Sequence, residues 1–307
     1  MKTARIPLSI VILLLCAAPV SGYGAATHAY MARELGDDYG FVNLQEMYGA
    51  VLPDMFNLMF DAPYQDYLWN ETHYEFMKLV DLGWFGGRKA MAFGFASHNE
   101  PWGADAAHFG YIADKTALLA ASVEDYVAWV LLMAGAPDPD ALAAEVTPIV
   151  AESAVESAID LLIARNEDPQ IGVRMLAAAA ARGPFVPRLL RRAYARDLAE
   201  HEGIGVREAG EIITTAERQF RQSIELYGII LSLGDPLDPM AEQGAEIAEQ
   251  LLAGRYGADI DVSPSVMAYL LEAAIDLVEA DYAAEIEATI TRVATELDDH
   301  GIETAGF

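Results

Sequence analysis

The chain has 307 residues, of which 47 are Asp or Glu and only 19 Lys or Arg, a formal net charge of −28. Hydrophobic residues make up 53%, enough to bury a core, so a wholly disordered acidic chain is excluded. The charge repels a bare phosphate backbone and argues against a stable nucleic-acid partner, while leaving room for a metal centre that draws in a phosphate locally.

Residues 1–22 read as a secretory signal peptide. Lys2 and Arg5 form a basic n-region, and Ile6 to Leu15 form an apolar run too short to span a membrane. Val20-Ser21-Gly22 places small residues before a cleavage site, so the mature chain is expected to begin at Tyr23 and to be secreted or periplasmic. Cys16, the one cysteine, falls in the removed segment. A metal site in the mature chain must therefore use His, Asp, Glu and main-chain groups.

From there the pattern is helical, with no period-2 run between turn signals. Helices are predicted around 26–35, 42–50, 88–98, 104–120, 138–165, 170–181, 186–201, 206–232 and 238–254. Breakers separate them at Gly83 to Gly87, Ala136 to Pro139, Gly183-Pro184, Gly203 to Gly205 and Gly234 to Pro239. A last helix opens at Ser263-Pro264, an N-cap followed by Pro, and its apolar positions run from Ile275 through Val278 and Tyr282 to Leu297. The fold class is all-α, a multi-helix bundle. Aromatic, Gly-rich and His-rich character is concentrated early, which divides the mature chain into a metal-binding, catalytic part at 23–135 and a C-terminal helical part at 136–307. The two are read as halves of one bundle or as separate parts.

Four of the six histidines, His28, His73, His98 and His108, lie in the first third of the chain. Asp54 stands in Val-Leu-Pro-Asp-Met, where a buried carboxylate needs a strong partner such as a metal ion. At about 100° per residue, His98 and Asp105 differ by about 700°, nearly two full turns, and Asp105 and His108 are i, i+3 neighbours. All three share a face if the chain kinks and restarts at Pro101-Trp102-Gly103. His201, in Glu200-His201-Glu202, reads as a solvated helix end, and His300, after Asp298-Asp299, as exposed. Trp69, Trp84 and Trp102 flank the proposed ligands, either walling a pocket or packing in the core.

The amino-terminal third resembles the zinc-dependent phospholipase C and S1/P1 nuclease superfamily. The resemblance lies in Tyr23-Gly-Ala-Ala-Thr-His28, Gly49-Ala-Val-Leu-Pro-Asp54, Thr72-His73-Tyr, and Phe93-Gly-Phe-Ala-Ser-His98 leading to Asp105 and His108. It is nearest to the amino-terminal domain of glycosylphosphatidylinositol-specific phospholipase D and covers roughly residues 23–112. It implies a helical bundle of phospholipase C type with additional C-terminal helices, holding two or three Zn²⁺ ions. Asp54, His73 and His98 would hold one zinc, with Asp105 bridging to a second. Tyr23, through its amino group and carbonyl, and His28 would complete the second, and His108 would start a third. The family places the bridging Asp one turn after the equivalent of His98. Here Trp102 stands at that position, so Asp105 takes the role, with Glu100 as a rival. No His follows His108 before His201; His201, with Asp197 or Glu202, is one candidate for the third site, and Asp114 and Glu124 are other possible donors.

The implied activity is hydrolysis of phosphodiesters, with a zinc-activated water as nucleophile and Asp54 as proton acceptor. The expected substrate is a phospholipid, met by peripheral contact with a membrane, or another phosphodiester. The alternatives are an S1/P1-like nuclease and a catalytically degenerate helical metal-binding or interaction protein.

Overall fold

The computed structural model describes residues 24–36, 40–57, 62–83 and 85–304. The expected signal peptide, Tyr23 and Trp84 lie outside these residues. Among the described residues there are 13 α-helices and no strand.

The first five helices are short: α1 (Ala25–Leu35), α2 (Phe41–Val51), α3 (Gln65–His73), α4 (Met77–Leu82) and α5 (Gly86–His98). A 3₁₀ turn, Leu52–Phe56, follows α2, with Pro53 near its start, where a missing N–H is tolerated. α2 and α5 pack along each other at glycines. A Cβ on Gly94 would stand 1.9 Å from the Glu46 carbonyl oxygen, and one on Gly49 would stand 2.1 Å from that of Met91. Only glycine permits backbones to approach this closely.

The predicted kink at Pro101 is a complete break. α5 ends at His98 and α6 (Ala104–Met133) begins after the Asn99–Gly103 loop. Asn99 organises the loop: its Oδ1 accepts from the N–H of Trp102 (2.9 Å) and Gly103 (3.1 Å), and its Nδ2 donates to the Ala96 carbonyl.

α6 continues well past the predicted end at 120, because its apolar positions Leu119, Val123, Val127 and Leu131 keep helical spacing and are buried. It forms a hairpin with α7 (Pro139–Leu162), whose N-cap Asp138 accepts from the Ala141 N–H. A π turn, Ile163–Glu167, extends α7. Next come α8 (Ile171–Ala181), α9 (Val186–Glu202), α10 (Val206–Leu231) and α11 (Leu237–Tyr256). α10 packs against α8 and α9.

The last predicted helix is two, α12 (Pro264–Val278) and α13 (Tyr282–Asp299). The expected Ser263 cap holds α12, its Oγ accepting from the Ser265 N–H. Lys115 on α6 enforces the break: its Nζ donates to the Leu277 carbonyl and to Asp281, which also accepts from Tyr111.

One apolar cluster runs from Ala26 to Ile302 through both halves of the chain. α1 packs on α2, α7, α8 and α13. The halves divided at 135 therefore share a single core.

Candidate metal centre

The six donors come from five elements. His28 lies in α1, Asp54 in the 3₁₀ turn, His73 at the end of α3, His98 at the end of α5, and Asp105 and His108 in the first turns of α6. All are buried except Asp54, whose side chain is 22% exposed at the rim.

His98 is the hub. Its Nε2 lies 3.0 Å from Asp105 Oδ2, 3.3 Å from His73 Nε2 and 3.7 Å from Asp54 Oδ1. His73 Nε2 is 3.5 Å from Asp54 Oδ1 and 3.9 Å from Asp105 Oδ2. Tetrahedral zinc bonds of about 2.0–2.1 Å set neighbouring ligand atoms roughly 3.3 Å apart, so these spacings suit a small cation. Asp105 turns its other oxygen, Oδ1, towards His28 Nε2 at 3.3 Å. The donors fall into two overlapping triads, His28–Asp54–His98 and His73–His98–Asp105, the atoms of each lying within 4.8 Å of one another.

The tautomers follow from the second set of contacts. His73 Nδ1 is 2.9 Å from the Trp69 carbonyl oxygen, and His98 Nδ1 is 2.8 Å from that of Ala50. A carbonyl only accepts, so each Nδ1 carries the proton and each neutral ring presents a lone pair at Nε2. Two such lone pairs facing one another at 3.3 Å, beside a buried carboxylate, require a cation between them, either a proton or a metal ion. This backbone anchoring of the far ring nitrogen is the usual support of a metal-ligating histidine. His108 is held likewise, its Nδ1 donating to the Ala104 carbonyl, and its ring meets that of His28 edge-on at 6.1 Å.

The electrostatics separate the histidines. Burial pushes His98 down, but Asp105 and Asp54 prevail and raise its pKa to about 9. Burial lowers His108 to about 3, and burial with the nearby His98 lowers His28. Burial would raise both carboxylates, yet the facing histidines, His98 foremost, hold Asp54 below its ordinary value and Asp105 well below it. The metal-free centre thus keeps its carboxylates ionised, with one imidazolium at His98.

The walls are aromatic. Trp69 stacks on His73 at 4.4 Å and meets the exposed Tyr74 edge-on. Trp102 stacks instead on His300 at 4.7 Å, so this half-exposed histidine is packed against the loop below the centre rather than fully solvated. Glu100 stands beside the centre, its N–H donating to the His73 carbonyl, and belongs to neither triad.

Five of the expected ligands, His28, Asp54, His73, His98 and Asp105, are brought together, with His108 beside them. His201 is not. It lies at the end of α9, half exposed, stacked on Tyr67 at 3.9 Å and bonded to Glu202. Asp197 is engaged by Lys78. α9 packs on α10, α4 and α3, and neither candidate ligand group among the described residues includes His201.

Sequence reasoning missed the supporting residues. Asn57 donates to Asp54 Oδ1 at 2.9 Å. Asp160, on α7, accepts from the start of α1 just before His28. Its signal was legible: a lone carboxylate in the apolar run Ala158-Ile-Asp160-Leu-Leu.

No protein-family model, curated protein or solved structure matches the chain.

Proposed function

We propose that the protein is an exported, zinc-dependent phosphodiesterase of phospholipase C type, acting on phospholipid headgroup esters. The observation that carries this reading is the convergence of His73, His98, Asp54 and Asp105 Oδ2 at ligand spacing, with Asp105 Oδ1 turned to His28. The nitrogen and oxygen donors suit a borderline-soft divalent ion, and a carboxylate shared between two histidine groups suits a bridge. The ordered series of residues that resembles the superfamily directs the choice of zinc and of phosphodiesters.

Bound zinc would lower the pKa of a coordinated water towards about 7 and polarise a phosphoryl oxygen. The protein's own groups do the rest. Asp105, buried and ionised, supplies the fixed negative charge that holds cations in place. Asp54 is the one carboxylate of the set with access to solvent, and the Asn57 amide orients it. Kept ionised by His98 and His73, it is placed to take the proton of an attacking water. Trp69, stacked on His73, and the exposed Tyr74 would offer apolar surface to a substrate beside the centre.

A reading from another class is a non-catalytic helical protein. The observation in its favour is His98, whose proton alone can link the cluster. Metal analysis of untagged, exported protein separates the two, followed by assays on phosphatidylcholine vesicles, a small activated diester and single-stranded DNA. Two or three zinc ions are expected, with lipid diester hydrolysis that a chelator abolishes. Asp105→Asn should lose metal and at least about 100-fold in rate, since it removes a ligand atom itself and not merely a residue that orients one. A metal-free chain, or a loaded chain idle on every diester, overturns the proposal. Turnover of DNA alone moves it to the nuclease alternative.

A further inference from the structure

The C-terminal half reaches the centre through α1. At the start of that helix, Asp160 Oδ1 accepts from the Thr27 N–H (2.8 Å) and Oγ (2.6 Å), and Oδ2 accepts from the Ala26 N–H (3.0 Å). Tyr227 on α10 holds the same carboxylate with its hydroxyl at 2.7 Å. Asp160 is fully buried, and its helix approaches so closely that a Cβ on Gly24 would stand 2.4 Å from its carboxylate. It does the work of an N-cap for a helix whose own cap residue, Gly24, has no side chain to offer. Near the other end of α1, Arg33 donates to Asp168 at 2.9 Å, and Arg174 and the Gln170 N–H hold that carboxylate from behind.

Asp160 and Asp168 sit on either side of the π turn. Asp160 lies in the last turn of α7, and Asp168 is the non-helical residue that ends the π turn, its N–H donating to the Ile163 carbonyl at 2.9 Å.

We infer that α7 and its π turn form a two-point clamp, Asp160 on the first turn of α1 and Asp168 on Arg33, that positions His28 over Asp105 and so sets occupancy of the His28 side of the metal centre. Asp160 and Asp168 are positioning residues. They act through α1, one before the π turn and one just past it, and so hold that helix near both of its ends. The inference rests on the metal-centre reading for its consequence, though the placement of His28 is observable without metal.

The test uses the full chain, Asp160→Asn and Arg33→Met. Asp160→Asn replaces one acceptor oxygen with a donor that faces a backbone N–H, and Arg33→Met opens the other end while keeping the aliphatic stem. In metal-free protein the His28 ring stacks on His98 at 4.0 Å, which shifts its Cε1–H resonance, whereas His73 is fixed separately by the Trp69 carbonyl. Both variants should move the His28 resonance towards that of an ordinary histidine and leave that of His73 in place. In a Co²⁺ titration, the tighter equivalent should bind as in wild type and the next about 10-fold more weakly, the size of effect expected of an outer-shell partner. An unmoved His28 resonance in the folded variants overturns the clamp. So does Co²⁺ affinity equal to wild type for every equivalent. If Asp160→Asn does not fold, Arg33→Met decides by the same two readings. Wild-type protein that takes up no Co²⁺ refutes the metal-centre reading instead, and the His28 resonance still judges the clamp.

Discussion

His98 and His108 are both buried, and their environments drive them in opposite directions. For His98, the folded pKa of about 9 lies above the unfolded value near 6.5. Its proton stabilises the metal-free chain fully below about pH 6.5, and that stabilisation is lost as pH rises through 9. For His108, burial lowers the folded pKa to about 3. The unfolded chain takes up that proton first, so stability falls as pH drops from about 6.5 towards 3. Asp105, held well below the ordinary carboxylate range by His98 and His28 against the upward push of burial, adds to the loss below about pH 4. The metal-free chain should therefore be most stable near pH 6.5. Under the proposed function, zinc would replace the His98 proton and flatten the alkaline decline. Urea midpoints across pH, with and without zinc, check this. A metal-free midpoint that is level from pH 6.5 to 9.5 contradicts the assignment of the proton to His98. None of this is legible in sequence, where His98 and His108 are two histidines with similar small neighbours.

The α2–α5 contact is the element on which His98 depends, because the carbonyl that orients its ring belongs to Ala50, which follows Gly49 and whose backbone nitrogen would lie 2.9 Å from a Cβ on Gly94. Gly94→Ala forces a methyl into the Glu46 carbonyl and should cost about 1–3 kcal/mol, with metal uptake impaired as the Ala50 carbonyl shifts. Gly110, on the exposed side of α6 with nothing within 4 Å of a Cβ, is the control. Gly110→Ala should gain about 0.4–1 kcal/mol. Thermal unfolding of both variants tests the pair, and equal effects would mean that the interface does not set the close approach. The glycines are visible in the sequence, but which of them face another backbone is not. Helix ends were legible where capping is local, as at Ser263-Pro264. The break at Val278 was not, because Lys115, 162 residues away from Leu277, imposes it.

Several of the molecule's cations are ion-paired: Lys78 with Glu71 and Asp197, Lys115 with Asp281, and, against buried carboxylates, Arg33 with Asp168 and Arg182 with Glu217. α6 is long and apolar enough, by length and composition, to cross a membrane. Yet its first turns hold Asp105 and His108 in the buried centre, and it exposes Asp114, Glu124 and Asp125, which marks it as an outer helix of the bundle. Under the proposed function, and with a full-chain net charge of −28, zwitterionic phosphatidylcholine vesicles should be hydrolysed several-fold faster than anionic phosphatidylglycerol vesicles at about 0.05 M salt. The gap should narrow towards about 0.5 M, as screening shortens the repulsion. Initial rates on the two vesicle types decide. Faster turnover of the anionic vesicles at low salt would show that the local field of the centre governs approach.

The helical class, the caps and breaks with local causes, and the donor types are legible in the residues alone. Helical periodicity and N-cap chemistry act over a few residues, and with Cys16 in the expected signal peptide only His, Asp and Glu side chains remain as candidate ligands. Which donors meet is settled by the packing of the helices. His28, Asp54, His73, His98 and Asp105 come from five elements, and a spacing along the chain says nothing about the angle between helices. The packing also decides that His201 stands apart on Tyr67, that His300 packs on Trp102, and that Asp160, 132 residues from His28, holds the helix on which that ligand sits. These placements follow from how buried faces and buried carboxylates find partners across the whole core, which is settled by packing and not by neighbours in sequence.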